Sequence, residues 1–193
     1  MYPSGQWGLS YQGFDAYIRL LLLQDRQYTS PPPQVIEPEK TYIATIRTEQ
    51  GDIVAELYAS SAPANVNSFV FLAQEGWYDG VTFHRVIPGF VVQAGDPTGT
   101  GGGGPGYQCD DEIDPNLSYT DVGVIGIANA GSNTGSSQFF ITLAPQEGLD
   151  GRYTIIGQVI DGFDVLQSIS PRDPGDPNAP PGDIIVTIVI EER

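Results

Sequence analysis

Two short segments hold most of the side chains in this 193-residue sequence whose types and spacing suit chemistry. In the first, Phe83 to Asp96, a pair of adjacent strands joined by a turn at Ile87 to Gly89 would project Arg85, Phe90 and Gln93 toward a common surface. That surface would pair an always-charged planar donor with an aromatic wall and an amide. In the second, Ala128 to Phe140, small polar residues run into two aromatics. The plainer reading of this stretch is a loop and a strand, with Phe139 or Phe140 buried in the core by alternation.

Much familiar chemistry is excluded by what is scarce. His84 is the single histidine and Cys109 the single cysteine, so the chain forms no internal disulfide and builds no cysteine metal cluster. No G-x-S-x-G nucleophile elbow occurs. The run Gly99 to Gly106 formally satisfies G-x-G-x-x-G, but Asp110, Asp111, Glu112 and Asp114 follow where a phosphate-binding helix should begin. A mobile surface loop that lets a ligand backbone approach closely is the better expectation. Those four acids lack the spacing of a calcium loop, so they read as a solvated acidic segment.

Charge narrows the field further. The chain carries 24 acidic against 8 basic residues, a formal charge of -16, which disfavours nucleic acid and anionic lipid surfaces as partners. From Thr48 to Gly151 there are thirteen carboxylates and one cation, Arg85. Either Arg85 pairs with a neighbouring carboxylate, or it serves a purpose of its own.

Elements must position these groups. Residues 1–27 read as an N-terminal extension, with a short amphipathic helix predicted over residues 13–26 from Phe14, Tyr17, Ile18, Leu21 and Leu22. Residues 28–40, with Pro31, Pro32, Pro33 and Pro38, read as an extended, poorly packable linker, and 41–193 as the folded domain. Strands are predicted at Thr41 to Thr48, Ile53 to Tyr58, Val81 to Val86, Phe90 to Ala94, Val122 to Ala128, Gln138 to Leu143, Thr154 to Val159 and Ile184 to Glu191. Helices are predicted after Pro63, ending at Gly76, and from Phe163 to Ile169. The expectation is a mainly β fold, a closed eight-stranded antiparallel barrel capped by two helices, with an open sandwich as the alternative. The apolar run Leu20 to Leu23 is too short to cross a bilayer and no signal peptide is evident. A soluble cytoplasmic protein is expected, with an exported bacterial domain as the alternative.

The segments FHRVIPGFVVQAGD (Phe83 to Asp96) and NAGSNTGSSQFFI (Asn129 to Ile141) closely resemble two diagnostic motifs of the cyclophilin family of peptidyl-prolyl cis-trans isomerases, of a bacterial-like type. Asn65 to Ala73, Gly99 to Gly102 and Leu149 to Leu166 match in order and approximate spacing, so the resemblance spans about residues 41–191. It implies catalysis of rotation about X-Pro peptide bonds, assistance to protein folding, and substrates that are proline-containing unfolded or flexible polypeptides. It implies Arg85 as the catalytic donor. Phe90, Val91, Phe140 and Leu149 would line the proline pocket, with Tyr153 beside them. Gln93 would bond the peptide and orient the arginine, Asn129 would hold the substrate backbone, and Ala130 would border the next subsite. No metal, cofactor, nucleic acid or membrane insertion is implied, and a monomer is expected. Gly148 stands where many members carry tryptophan, Tyr153 where they carry histidine and Val91 where they carry methionine, which makes strong cyclosporin binding doubtful. A scaffolding module that keeps the barrel only to hold a partner is the competing functional class.

Overall fold

The computed structural model describes residues 27–176 and 178–193. The helix expected over residues 13–26 lies outside them.

Eight strands form one antiparallel sheet: β1 (Tyr42–Thr48), β2 (Asp52–Leu57), β3 (Arg85–Ile87), β4 (Val91–Ala94), β5 (Val124–Ile127), β6 (Phe139–Thr142), β7 (Ile155–Asp161) and β8 (Ile185–Glu192). Their spatial order is β3-β4-β6-β5-β7-β2-β1-β8. Helix α1 (Pro63–Gln74) and the shorter α2 (Phe163–Ser168) complete the fold. The mainly β architecture with two helices is therefore as expected. Closure is looser than a continuous ladder. Between the edge strands β3 and β8 the seam is held by the bridge Thr82–Ile184 and by backbone bonds from Phe83 N to Asp183 O (2.9 Å) and from Ile185 N to Val81 O (2.8 Å).

Alternation along the strands divides the interior. Val92, Phe139 and Ile141 join Ile46, Ile53, Phe69 and Ile156 in the main core, where Phe69, Tyr78 and Phe139 meet edge to face or tilted at 5.2–5.6 Å. Their neighbours Val91 and Phe140 point the other way into a second cluster with Tyr119, Val124 and Ile155. Phe140 and Phe139 are thus both buried, on opposite faces of β6.

Helix α1 begins with Pro63 and ends before Gly76, which adopts φ 67°. Ala62 precedes it and offers no side-chain cap. Glu112 supplies one from a distance: its carboxylate accepts from the amides of Ala64 (3.0 Å) and Asn65 (2.8 Å). Asp114 accepts from Ser61 Oγ and Asp111 from Ser132 Oγ. The segment read as merely solvated therefore fastens loops and a helix end.

Two further expectations change. The proline-rich stretch does pack: Ile36 is buried, and the Asn67 side chain receives Val35 N (2.7 Å) and donates to Pro33 O (3.0 Å). The glycine run is anchored rather than loose, because the buried Asp96 carboxylate accepts from the amides of Thr98 (2.7 Å), Thr100 (3.1 Å) and Gly101 (2.6 Å). A side chain at Gly103 would collide with that carboxylate.

Candidate functional site

The β3–β4 hairpin sets Arg85 directly across from Gln93, and cross-strand partners share a face. The turn lies one residue later than expected, at Pro88–Phe90, closed by Phe90 N donating to Ile87 O (3.0 Å), and it brings Phe90 to the same side, where the Arg85 guanidinium stands 5.2 Å from its ring centroid. Among the described residues Arg85 belongs to no ion pair; the charged contacts are Lys40 with Glu37 and Glu192, Arg47 with Asp52, and Arg193 with Glu191. The reading of Arg85 as half of a salt bridge therefore has no support.

Beside this guanidinium lies a cavity of about 210 Å³ lined by Arg85, Phe90, Val91, Gln93, Ala128, Asn129, Phe140, Leu149 and Tyr153. Eight of the nine residues singled out from sequence meet there. The ninth, Ala130, is exposed and borders the two larger depressions on either side, of about 580 and 510 Å³. Phe140 forms the floor, stacked on Tyr119 (5.6 Å, 29°) and met edge-on by Tyr153 (5.4 Å, 89°). Gly126 lies opposite Phe140 on β5, and any side chain there would strike Phe140 Cζ at 2.5 Å. Glycine at that position lets the floor exist. Gly148 is exposed and open around its Cα, so the rim is low on that side.

Polar groups around the cavity are tied down. Gln93 Nε2 donates to Gln138 Oε1 (3.0 Å), and Gln138 Nε2 donates to the carbonyls of Gly101 and Gly103 (3.0 Å each). The orientation of Gln93 thus comes from Gln138; among the described residues its side chain makes no hydrogen bond to Arg85. Asn129 donates through Nδ2 to Arg152 O (3.0 Å), and Ala130 N donates to Thr134 Oγ1 (2.9 Å). Sequence reasoning missed Ala128 as a wall and Gln138 as a strut. The signal for Gln138 was its place immediately before the two aromatics that open β6, the strand that pairs with β4.

Asp96 and His84 are buried ionisable groups beside the glycine run. Burial works to raise the Asp96 carboxyl, but the Thr98 hydroxyl and the amides of Gly103, Thr98 and Gly101 outweigh it and hold the carboxyl below the usual range. His84 is 1% exposed, and neither ring nitrogen has a hydrogen-bond partner among the described residues. Burial pushes the imidazole below its ordinary value of 6.5; Asp96 opposes this, while Arg172 and Arg85 reinforce it. The folded state therefore holds His84 neutral after the unfolded chain has begun to protonate. Its contribution to stability is complete above about pH 6.5 and is lost as pH falls through the folded value, with a slope of up to about 1.4 kcal/mol per pH unit. Thermal melts between pH 7.5 and 5.5 should show the midpoint falling, and H84Q should flatten that slope. An equally flat profile in the parent protein would refute the assignment.

A guanidinium with no ion-pair partner among the described residues, standing over a small cavity with a phenylalanine floor, has the chemistry to polarise a carbonyl beside a gripped ring. Residues 43–190 match the family model described as cyclophilin type peptidyl-prolyl cis-trans isomerase/CLD. The chain belongs to the cyclophilin-type peptidyl-prolyl cis-trans isomerases, enzymes of rotation about the X-Pro bond. It is 54% identical over 125 residues to "Peptidyl-prolyl cis-trans isomerase ppi1" of Schizosaccharomyces pombe, covering 63% of this chain and 81% of that protein. It is 42% identical over 156 residues to "Peptidyl-prolyl cis-trans isomerase-like 1" of Mus musculus, covering 79% and 92%. A Cryptosporidium parvum cyclophilin type isomerase solved in the presence of the dipeptide Ala-Pro superposes with a TM-score of 0.70 at 40% identity, covering 77% of this chain and 98% of that one. These relatives are eukaryotic and lend no support to the bacterial-like affinity expected. Among the described residues no helix is long and apolar enough to cross a membrane.

Proposed function

We propose that Arg85 is the catalytic donor of this isomerase and that the 210 Å³ cavity holds the substrate proline. Rotation about an X-Pro bond is slow because amide resonance must be broken, with a barrier near ~20 kcal/mol. No bond is cut and no proton need move. Two tasks follow: gripping the ring while the rest of the peptide turns, and favouring the twisted amide in which the nitrogen is pyramidal and its lone pair localised. Phe90, Val91, Phe140, Leu149 and Tyr153 supply the grip. The cavity is smaller than the roughly 300–1,000 Å³ that encloses a drug-sized ligand, so it suits one ring. Arg85 donates to the substrate carbonyl and polarises the prolyl amide, and a fixed donor in a partly water-excluded site is effective for such charge redistribution. Gln93, held by Gln138, bonds the peptide, and the main chain of Asn129 extends along it.

The observation that carries this assignment is that Arg85 has no carboxylate partner among the described residues of a strongly anionic chain. Residues 41–193 form the catalytic unit in this reading, acting as a monomer on proline segments of unfolded or flexible chains. The low rim at Gly148, the changed ring at Tyr153 and the short branched side chain of Val91 weaken cyclosporin binding. A protease-coupled cis/trans assay on a proline tetrapeptide should give a rate above the uncatalysed one. The uncatalysed rate alone would leave a peptide-holding module instead.

A further inference from the structure

The glycine run Gly99 to Gly106 is braced from behind by a strap, Gln27 to Ile36, that lies outside the family-matched span 43–190. The strap's main anchor is Tyr28. Its ring meets Phe71 edge-on at 5.4 Å, Tyr107 at 6.2 Å and Trp77 at 6.3 Å. Its amide donates to Pro105 O at 2.8 Å, and Gln27 Nε2 donates to Gly104 O at 3.1 Å. The two backbones lie so close that a Cβ on Gly106 would sit 2.5 Å from Tyr28 O. At its far end the strap is tied to α1 through Asn67.

The opposite face of the same loop is working surface. Gly101 to Gly104, Gly106 and Tyr107 line the depression of about 580 Å³, which shares Gln93, Ala128 and Asn129 with the proline cavity. Four successive glycines have little intrinsic preference for one conformation, and ordering them at the moment of binding would cost affinity. Asp96 and Gln138 hold the run from within; the strap holds Gly104 to Gly106 from outside. Pro31 to Pro33 keep the strap extended before it docks, which lowers the entropy its own ordering costs.

We infer that Tyr28 is a positioning residue: it seats the strap that preforms the larger depression for substrate residues beyond the X-Pro pair. The inference rests on the isomerase reading above. Full-length Y28A and Y28F would be compared with the parent on two substrates, a short blocked Ala-Pro peptide and one extended by several residues on both sides. Y28A should raise KM for the extended peptide about threefold to tenfold, the scale of ordering a loop on binding rather than beforehand. Its kcat, and turnover of the short peptide, should stay at parent values. Hydrogen exchange at the amides of Gly101 to Gly104 should quicken in Y28A, and Y28F, which keeps the ring contacts, should recover most of both effects. Unchanged KM and exchange, or an equal loss on both peptides, would overturn the proposal. Should Y28A fail to fold, the ratio of KM for the two peptides in Y28L decides the same question. If the parent turned over neither peptide, the isomerase reading would fail, and the exchange comparison would still judge the brace.

Discussion

Replacing Arg85 with alanine should lower kcat for X-Pro isomerisation about 10²- to 10³-fold, the loss that follows removal of one fixed donor to a developing charge. Ground-state binding should change much less, because the donor's advantage is realised in the twisted amide rather than in the planar one. The fold should survive. Arg85 is half-buried, has no ion-pair partner among the described residues, and contributes to packing mainly through its stand over Phe90 at 5.2 Å, worth about 0.5–1 kcal/mol at a partly exposed position. R85K separates charge from shape. Lysine keeps the positive potential but lacks the rigid planar fork, so it should restore only a small part of the rate. Steady-state turnover in the protease-coupled assay, with circular dichroism melts on the same samples, reads both quantities. If R85A kept even a third of the parent kcat, a different group would have to be the donor.

The same residues show how far sequence reasoning reaches and where it stops. That Arg85 and Gln93 share a surface was legible from alternation, but the register was not: a turn at Ile87–Gly89 would set Arg85 opposite Val91, whereas β3 runs on to Ile87 and the turn falls at Pro88–Phe90, which sets Arg85 opposite Gln93. The interactions that were missed connect residues far apart in the chain. Glu112 caps α1 some 47 residues upstream of itself, and the only local hint was negative: Ala62 precedes Pro63 where serine, threonine or aspartate would be expected. The strap was misjudged for a related reason. Proline-rich composition reports that a segment lacks internal hydrogen bonds, but says nothing of whether Tyr28 and Ile36 find seats on another element. Closure was expected, but the loose form of the seam between β3 and β8 was out of reach, since one bridge and two neighbouring backbone bonds leave no periodic trace.

The second large effect should come from the floor of the proline cavity. Phe140 is 4% exposed, stacks on Tyr119 and is met edge-on by Tyr153, so F140A removes a ring from the centre of the second apolar cluster. Large-to-small replacement of a buried phenylalanine costs about 3–5 kcal/mol, and Gly126 beneath it adds no side chain that could refill the space. Catalysis should fall through a different parameter from that in R85A. In the proposed site the floor would contact the substrate ring in ground and transition states alike, so its loss should be mainly a loss of uniform binding. With burial of one ring contributing about 1.5–3 kcal/mol, kcat/KM should drop roughly tenfold to a hundredfold, most of it in KM. F140L, which keeps an apolar side chain in the floor, should recover much of the stability and part of the affinity. Measured below the lowered melting temperature, F140A and R85A should therefore fail in opposite columns, one in KM and one in kcat. A fall confined to kcat in F140A would mean that the ring is held elsewhere, and that the cavity beside Arg85 serves the carbonyl side of the substrate instead.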